Sequence, residues 1–269
     1  MSSHDLATPF HRAASVRHAR HRNHLHTVLA LCTLFVIGHA QAGSSGNLAL
    51  TSDYVFRGIS QSNQHPALQA GIEQAADNGL YVGAWGSNVS WLADTSSSAA
   101  PISSSLELDA YAGWRGTLSP TVSVDVGAQY YAYPGHFPSG FNRADTLELY
   151  AGVTLAASKR VNLSAKYSLA TTDLFGYADS HGSGYLDLSA TFAVDEHWSL
   201  AAHAGQQWIS HNTAFAYRDW KLGITRGYSN GVALGLAYTG TDADNALYTN
   251  PYGHTLARDT VALTLSKAF

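Results

Sequence analysis

Charged residues that alternate with apolar ones are the part of this sequence best suited to chemistry. Successive side chains of a β-strand point to opposite faces, so this spacing places the charges on one face and the apolar row on the other. An inward charged face could line a water-filled interior, whereas charges that faced lipid would be costly. The candidates for such a lining are Asp53, Arg57, Glu107, Asp109, Asp125, Glu148, Lys166, Asp187 and Lys221.

The acids and bases of this set predict an electric field in the interior that selects solutes by charge. Acids outnumber bases, and three consecutive predicted strands place Glu107, Asp109, Asp125 and Glu148 in one acidic wall. Opposed charges in a constriction create a transverse field that orders water, and an excess of acids favours cations. We expect the opposing ladder to consist of Arg57, Lys166 and Lys221. The alternative is that acids and bases pair with one another and fill the interior without conducting.

Twelve alternating segments are the elements that must position these charges. Each is about as long as the 9 to 11 residues that a tilted strand needs to cross a bilayer. They predict an all-β, antiparallel, up-and-down transmembrane barrel of about twelve strands. The segments are 48–60, 67–76, 80–90, 105–115, 121–133, 144–155, 161–171, 183–192, 198–208, 218–226, 232–239 and 259–269.

The connections between these segments alternate between short and long. The short ones contain turn residues, as in Asp77-Asn78-Gly79, and the others are mostly longer and rich in Ser, Asn, Asp and Pro. Short turns on the periplasmic side and longer loops outside are typical of bacterial barrels. Aromatic residues near the predicted strand ends fit the interfacial girdles of such a barrel: Trp91, Trp114, Tyr130, Tyr131, Tyr133, Trp198, Trp208 and Tyr228.

The first 42 residues have the pattern of a secretory signal peptide. A basic region precedes an apolar run at 28–37, and Ala40-Gln41-Ala42 forms a small-residue cleavage site. We predict a signal peptide at 1–42 and one barrel domain at 43–269. The latter region has more acids than bases and no cysteine, which disfavours nucleic acid as a partner and excludes disulfides and thiolate chemistry within it.

The last predicted strand resembles the closing strand of bacterial outer-membrane barrels. Val261, Leu263, Leu265 and Phe269 share one face and end on an aromatic residue. The resemblance implies a signal for the barrel-assembly machinery and a location in the bacterial outer membrane, reached through the periplasm. Outer-membrane lipids would then be partners of the apolar face.

Enzymatic and metal-binding alternatives find less support in the sequence. His203 is expected to point inward, but no Gly-x-Ser-x-Gly pattern follows residue 42 and nothing marks a particular serine. An outer-membrane hydrolase is therefore the weakest alternative, and we expect no catalytic residues. Five histidines in predicted outer loops lack the fixed spacing of metal ligands, so we expect no metal and no cofactor: His65, His136, His181, His211 and His254.

Two segments resemble the opening of the TorF-type porins, a family first named for a Gly-Cys-Trp motif. They are residues 52–62, which read SDYVFRGISQS, and residues 79–89, which read GLYVGAWGSNV. The motif appears here as Gly83-Ala84-Trp85, without the cysteine. The resemblance implies an outer-membrane channel for passive passage of small polar solutes or ions. The acidic lining favours cations, a structural or adhesive filled barrel stays open as the alternative, and the oligomeric state is not predicted.

Overall fold

The computed structural model describes residues 43–269, so the predicted signal peptide at 1–42 lies outside the described residues. Twelve antiparallel strands form one closed barrel in which each pairs with its neighbours in sequence. The barrel strands are β1 (Gly43–Thr51), β4 (Ala67–Ala75), β5 (Leu80–Asn88), β6 (Leu106–Ser119), β7 (Val122–Ala132), β8 (Thr146–Ala156), β9 (Val161–Ala170), β10 (Gly184–Ala193), β11 (Trp198–Trp208), β12 (Tyr217–Gly227), β13 (Val232–Thr241) and β14 (Thr260–Ala268). The predicted fold class is confirmed.

The remaining elements lie in the connections between the barrel strands. A hairpin of two short strands, β2 (Val55–Phe56) and β3 (Ile59–Ser60), follows β1. Two single-turn 3₁₀ helices span Ala93–Thr95 and Thr213–Phe215. Within residues 43–269, no helix has the length and apolar character required to span a membrane.

Side chains alternate between the outside and the inside of the barrel as the sequence pattern predicts. On β6, Leu106 and Leu108 are exposed on the outer surface, whereas Glu107 and Asp109 are buried in the interior. Tyr130 and Tyr131 show the same alternation on β7, and only Tyr130 is exposed. The prediction that Tyr131 and Tyr133 belong to an interfacial girdle is therefore wrong, because both are buried.

The first predicted strand differs most from the structure. The segment 48–60 reads as one strand, but β1 begins at Gly43 and ends at Thr51. Residues 52–66 leave the sheet and contain the β2–β3 hairpin, so Asp53 and Arg57 do not share a strand face. A smaller difference occurs in β6, which continues past residue 115 to Ser119 through an irregularity in its pairing with β7.

Long and short connections fall at opposite ends of the barrel, which confirms the predicted alternation. The long-loop end holds 52–66, 89–105, 133–145, 171–183, 209–216 and 242–259, and the other end holds the short turns. The long loops pack on one another: Leu92 and Ile102 join one apolar cluster, and Leu174 and Ile209 join another. The long loops therefore contact one another at this end of the barrel.

The barrel closes through pairing of β1 with β14. The backbone N–H of Gly46 donates to the carbonyl of Phe269 at 2.9 Å, and the N–H of Phe269 donates back at 3.0 Å. A side chain at position 46 would meet the Phe269 ring, so glycine leaves room for it. The outward row of the closing strand consists of Val261, Leu263, Leu265 and Phe269.

Candidate functional site in the barrel lumen

Residues 53–62, which we call the lumen hairpin, fold inward from the end of β1. The strand pairs Val55–Ser60 and Phe56–Ile59 enclose a turn at Arg57 and Gly58, with φ angles of 46° and 80°. Both angles lie in the left-handed region that glycine adopts easily and other residues rarely. A Cβ at position 58 would also lie 2.6 Å from the Cβ of Asp219, so the close approach to β12 requires glycine too.

Arg57, at the tip of the lumen hairpin, binds two distant strands. Its guanidinium donates to both oxygens of Glu148 on β8, at 2.7 and 2.8 Å, and to Gln207 on β11 at 3.0 Å. It also lies over the rings of Tyr185, at 4.2 Å, and Phe56, at 4.7 Å. Burial alone would lower the pKa of Arg57, but the Glu148 carboxylate raises it above its usual value. Arg57 therefore stays charged.

Glu107 and Asp109, two candidates on β6, are bonded by uncharged donors. Tyr54 from the lumen hairpin and Tyr133 donate to Glu107 at 2.8 and 2.9 Å, and Gln129 donates to Asp109 at 2.8 Å. The second oxygen of Asp109, Oδ1, is buried without a hydrogen-bond partner within residues 43–269. Burial and then the charge of Glu107 raise the pKa of both Tyr54 and Tyr133, so these phenols remain protonated donors.

A second polar network joins β10, β11 and β12 around His203. Its Nε2 lies 2.8 Å from Asp219, and its Nδ1 lies 3.2 Å from Asp187. Tyr185 donates to Asp219 at 2.9 Å. Ser189 lies 3.4 Å from the ring but donates to Asp187 at 2.6 Å, so its proton is not directed at the histidine. This geometry does not prepare Ser189 as a nucleophile.

A third network is organised by Arg115, which sequence reasoning did not select. Arg115 contacts Asp125 and Glu73, each at 3.2 Å, and lies 4.3 Å above the ring of Tyr81. Tyr81 in turn donates to Asp125 at 2.5 Å and contacts the hydroxyl of Tyr150. Arg115 is separated from Glu107 and Asp109 by an even number of positions on the same strand, so it faces inward as they do. The alternating pattern was therefore sufficient to predict Arg115 as a lumen residue.

Inward tyrosines are the largest group that sequence reasoning missed. Several lie flat across a glycine of the neighbouring strand: Tyr81 faces Gly113 in register, and Tyr150 faces Gly127. The absence of a side chain on the neighbour leaves room for the ring on the inner surface. The sequence analysis assigns aromatic residues to the membrane interfaces and therefore does not predict that inward tyrosines bind the buried acids.

The candidate acids and bases come together differently from the predicted arrangement. Glu107 and Asp109 lie together on β6. Glu148, however, forms an ion pair with Arg57, and Asp125 forms one with Arg115. Lys166 lies on β9, next to β8, with its ammonium 4.1 Å from the centroid of the Tyr150 ring, and it faces Asp187 in register. Lys221 faces His203 in register. The bases therefore do not form a separate ladder opposite an acidic wall.

The lumen has a charged side and an uncharged side. The inner faces of β4 to β12 hold the three networks, whereas those of β13, β14 and β1 hold mainly small residues such as Ala49, Ala237, Ala262 and Thr264. As for the five loop histidines, residues 43–269 contain no group of three or more His, Cys, Asp or Glu that could hold a metal ion.

A closed barrel of twelve antiparallel strands, apolar outside and polar inside, defines the class of porin-like β-barrels. The chain belongs to the family described as bacterial protein of unknown function (Gcw_chp), whose model matches residues 38–269. This confirms the family resemblance at that level, and the TorF-type assignment stays a prediction.

Known structures of porins resemble this barrel. The chain is similar to the KdgM porin with 6% identity and a TM-score of 0.54, covering 84% of this chain and 98% of that one. It is similar to the NanC porin with 11% identity and a TM-score of 0.55, covering 84% and 99%. At these identities the similarity concerns the fold alone. No curated protein sequence matches the chain.

Proposed function

We propose that the chain is a narrow outer-membrane channel for passive passage of small polar solutes or ions, with a preference for cations. The observation that supports it most is the pair of buried carboxylates, Glu107 and Asp109, whose donors are uncharged. Twelve strands place the barrel between filled eight-stranded barrels and open porins of 16 to 18 strands. The signal peptide at 1–42 and the outward row of β14 would direct export and assembly.

The excess of acids is concentrated around the lumen hairpin. Its surroundings hold the acids Asp53, Glu107, Asp109 and Glu148, and Arg57 bonds to Glu148. In the networks of Arg115 and His203, acids and bases alternate instead. We therefore expect cations to be selected at the long-loop end of the lumen. A negative field attracts cations most strongly where nearby bases do not balance the acids.

Reversal potentials in a salt gradient across a planar bilayer test this proposal. The wild-type protein should conduct with a preference for cations, and the double variant Glu107→Gln/Asp109→Asn should reduce that preference. Glu196→Gln is the matched control, because Glu196 is exposed in a short turn and has no place in the lumen. Unchanged selectivity in the double variant would refute the role of Glu107 and Asp109, and a wild-type protein that conducts without preference would refute the cation preference. Absence of conductance at all salt concentrations, in the wild-type protein and in a variant without the hairpin, would refute the channel.

The lumen hairpin favours a second candidate function, a filled barrel that serves a structural or adhesive role. Its tip is buried among β8, β10 and β11, and the long loops pack above it. In this case neither the wild-type protein nor a variant without the hairpin would conduct. The hydroxyl of Ser189 donates to Asp187, so this serine is not aligned with His203 as a hydrolase would require.

A further inference from the structure

The lumen hairpin crosses the whole width of the barrel. Tyr54 contacts Glu107 on β6, and Gly58 packs against Asp219 on β12. These two strands are six positions apart in a closed ring of twelve, so they lie on opposite sides. Between them, Arg57 reaches β8 and β11. The hairpin therefore spans the lumen at this level.

The outer side of the hairpin is covered by the long loops. Ile59 joins an apolar cluster with Ala243 and Ala257, and the N–H of Ser60 donates to the carbonyl of Leu256 at 2.9 Å. Ile59 and Ser60 form β3 and directly follow the turn at Arg57 and Gly58, so these loop contacts lie next to the tip. The side chain of Arg57, at the tip, is held by polar contacts with the barrel wall.

The contacts of Arg57 explain what keeps the tip inside. Its side chain is 7% exposed and that of Glu148 is 3% exposed, so both charges depend on each other for compensation. Arg57 also has a left-handed backbone that costs free energy for a residue other than glycine and persists only where contacts impose it. Loss of the pair would leave a buried charge, which outward movement of the hairpin would hydrate.

We propose that the lumen hairpin is the gate of the channel and that the Arg57–Glu148 pair is its latch. The proposal rests on the proposed channel function. With the pair formed, the hairpin occludes the lumen at the level of the acidic cluster. With the pair broken, the tip moves toward the long-loop end, and the passage beside Glu107 and Asp109 opens.

Single-channel recording tests the latch. Arg57→Ala and Glu148→Gln should each raise the open probability at least tenfold, which corresponds to about 1.4 kcal/mol in the closed-to-open equilibrium. Arg57→Lys, which keeps the charge but not the paired geometry, should give an intermediate rise. The matched control is Arg143→Ala, because Arg143 also binds a carboxylate at 2.7 Å, that of Asp145, but is half exposed in a loop.

Thiol labelling tests movement of the hairpin without relying on conductance. Ile59→Cys provides the single thiol of residues 43–269, at a position that is buried in the closed state. A membrane-impermeant maleimide should react slowly with it, and at least tenfold faster when Glu148→Gln is added. Only preparations with the wild-type β-sheet circular dichroism are compared, which excludes misfolded variants.

A hairpin-replacement variant, with residues 55–60 changed to glycine and serine, separates the two proposals. It should conduct with high open probability. If it conducts while Arg57→Ala and Glu148→Gln match the wild-type protein in both readouts, the gate is refuted and the channel stands. If it never conducts, the channel function is refuted, and the gate with it.

Discussion

The stability of the barrel should depend strongly on the Arg57–Glu148 pair. Arg57→Ala removes three hydrogen bonds and two ring contacts, and it leaves the Glu148 carboxylate without its guanidinium partner, while the hydroxyl of Tyr131 still donates to it at 3.2 Å. Removal of one partner from a buried ion pair typically costs about 3–5 kcal/mol. Outward movement of the hairpin would hydrate Glu148, so we expect a loss at the lower end, about 3 kcal/mol.

The double variant Arg57→Met/Glu148→Leu gives the decisive comparison. It removes both charges of the pair and leaves neither one buried alone, so its stability should return to within about 1–2 kcal/mol of the wild-type protein. Urea titration of the folded barrel in lipid vesicles, followed by tryptophan fluorescence, measures these differences. If each single variant costs less than 1 kcal/mol and the double variant shows only their sum, the pair does not hold the hairpin and the reasoning from burial is wrong.

Two further predictions concern the barrel wall and a short turn. Gly113→Ala would place a Cβ 2.5 Å from the carbonyl oxygen of Val126 and should cost about 1–3 kcal/mol in urea titration, whereas Gly223→Ala, with its nearest atom at 3.6 Å, should be tolerated. Asp195 accepts two backbone N–H groups of its turn, which lowers its pKa. Its stabilisation should be present at neutral pH and lost as pH falls below about 3.9 through the lowered pKa, and Asp195→Ala should abolish that acid-dependent change. Equal acid sensitivity in both proteins would contradict this assignment.

The sequence predicted strands and faces better than it predicted partners. Leu108 and Glu107 point to opposite faces because neighbouring side chains of any β-strand do so. The alternating pattern was therefore sufficient to assign the inner face. The bond between Arg57 and Glu148 joins residues 91 positions apart, and the bond to Gln207 spans 150. Such partners depend on strand number, register and tilt together, none of which a local pattern contains.

The error at residues 52–60 has a specific physical origin. Tyr54, Phe56 and Arg57 follow β1 without a proline or a long polar break, so the alternating pattern continues past the end of the strand. The signal for a turn is Gly58, because a glycine after a polar residue suits the left-handed positions of a two-residue hairpin. The apolar residues around it pack into the loop clusters instead of facing lipid.

The position of the lumen hairpin also sets an order of events in folding. It follows the first barrel strand, yet its contacts are with residues 107, 148, 207 and 256, which are synthesised much later. Contacts of such high sequence separation form late, since the loops between them must close first. We therefore expect a hollow, water-filled intermediate to insert into the membrane, and the earliest inward segment of the chain to dock last.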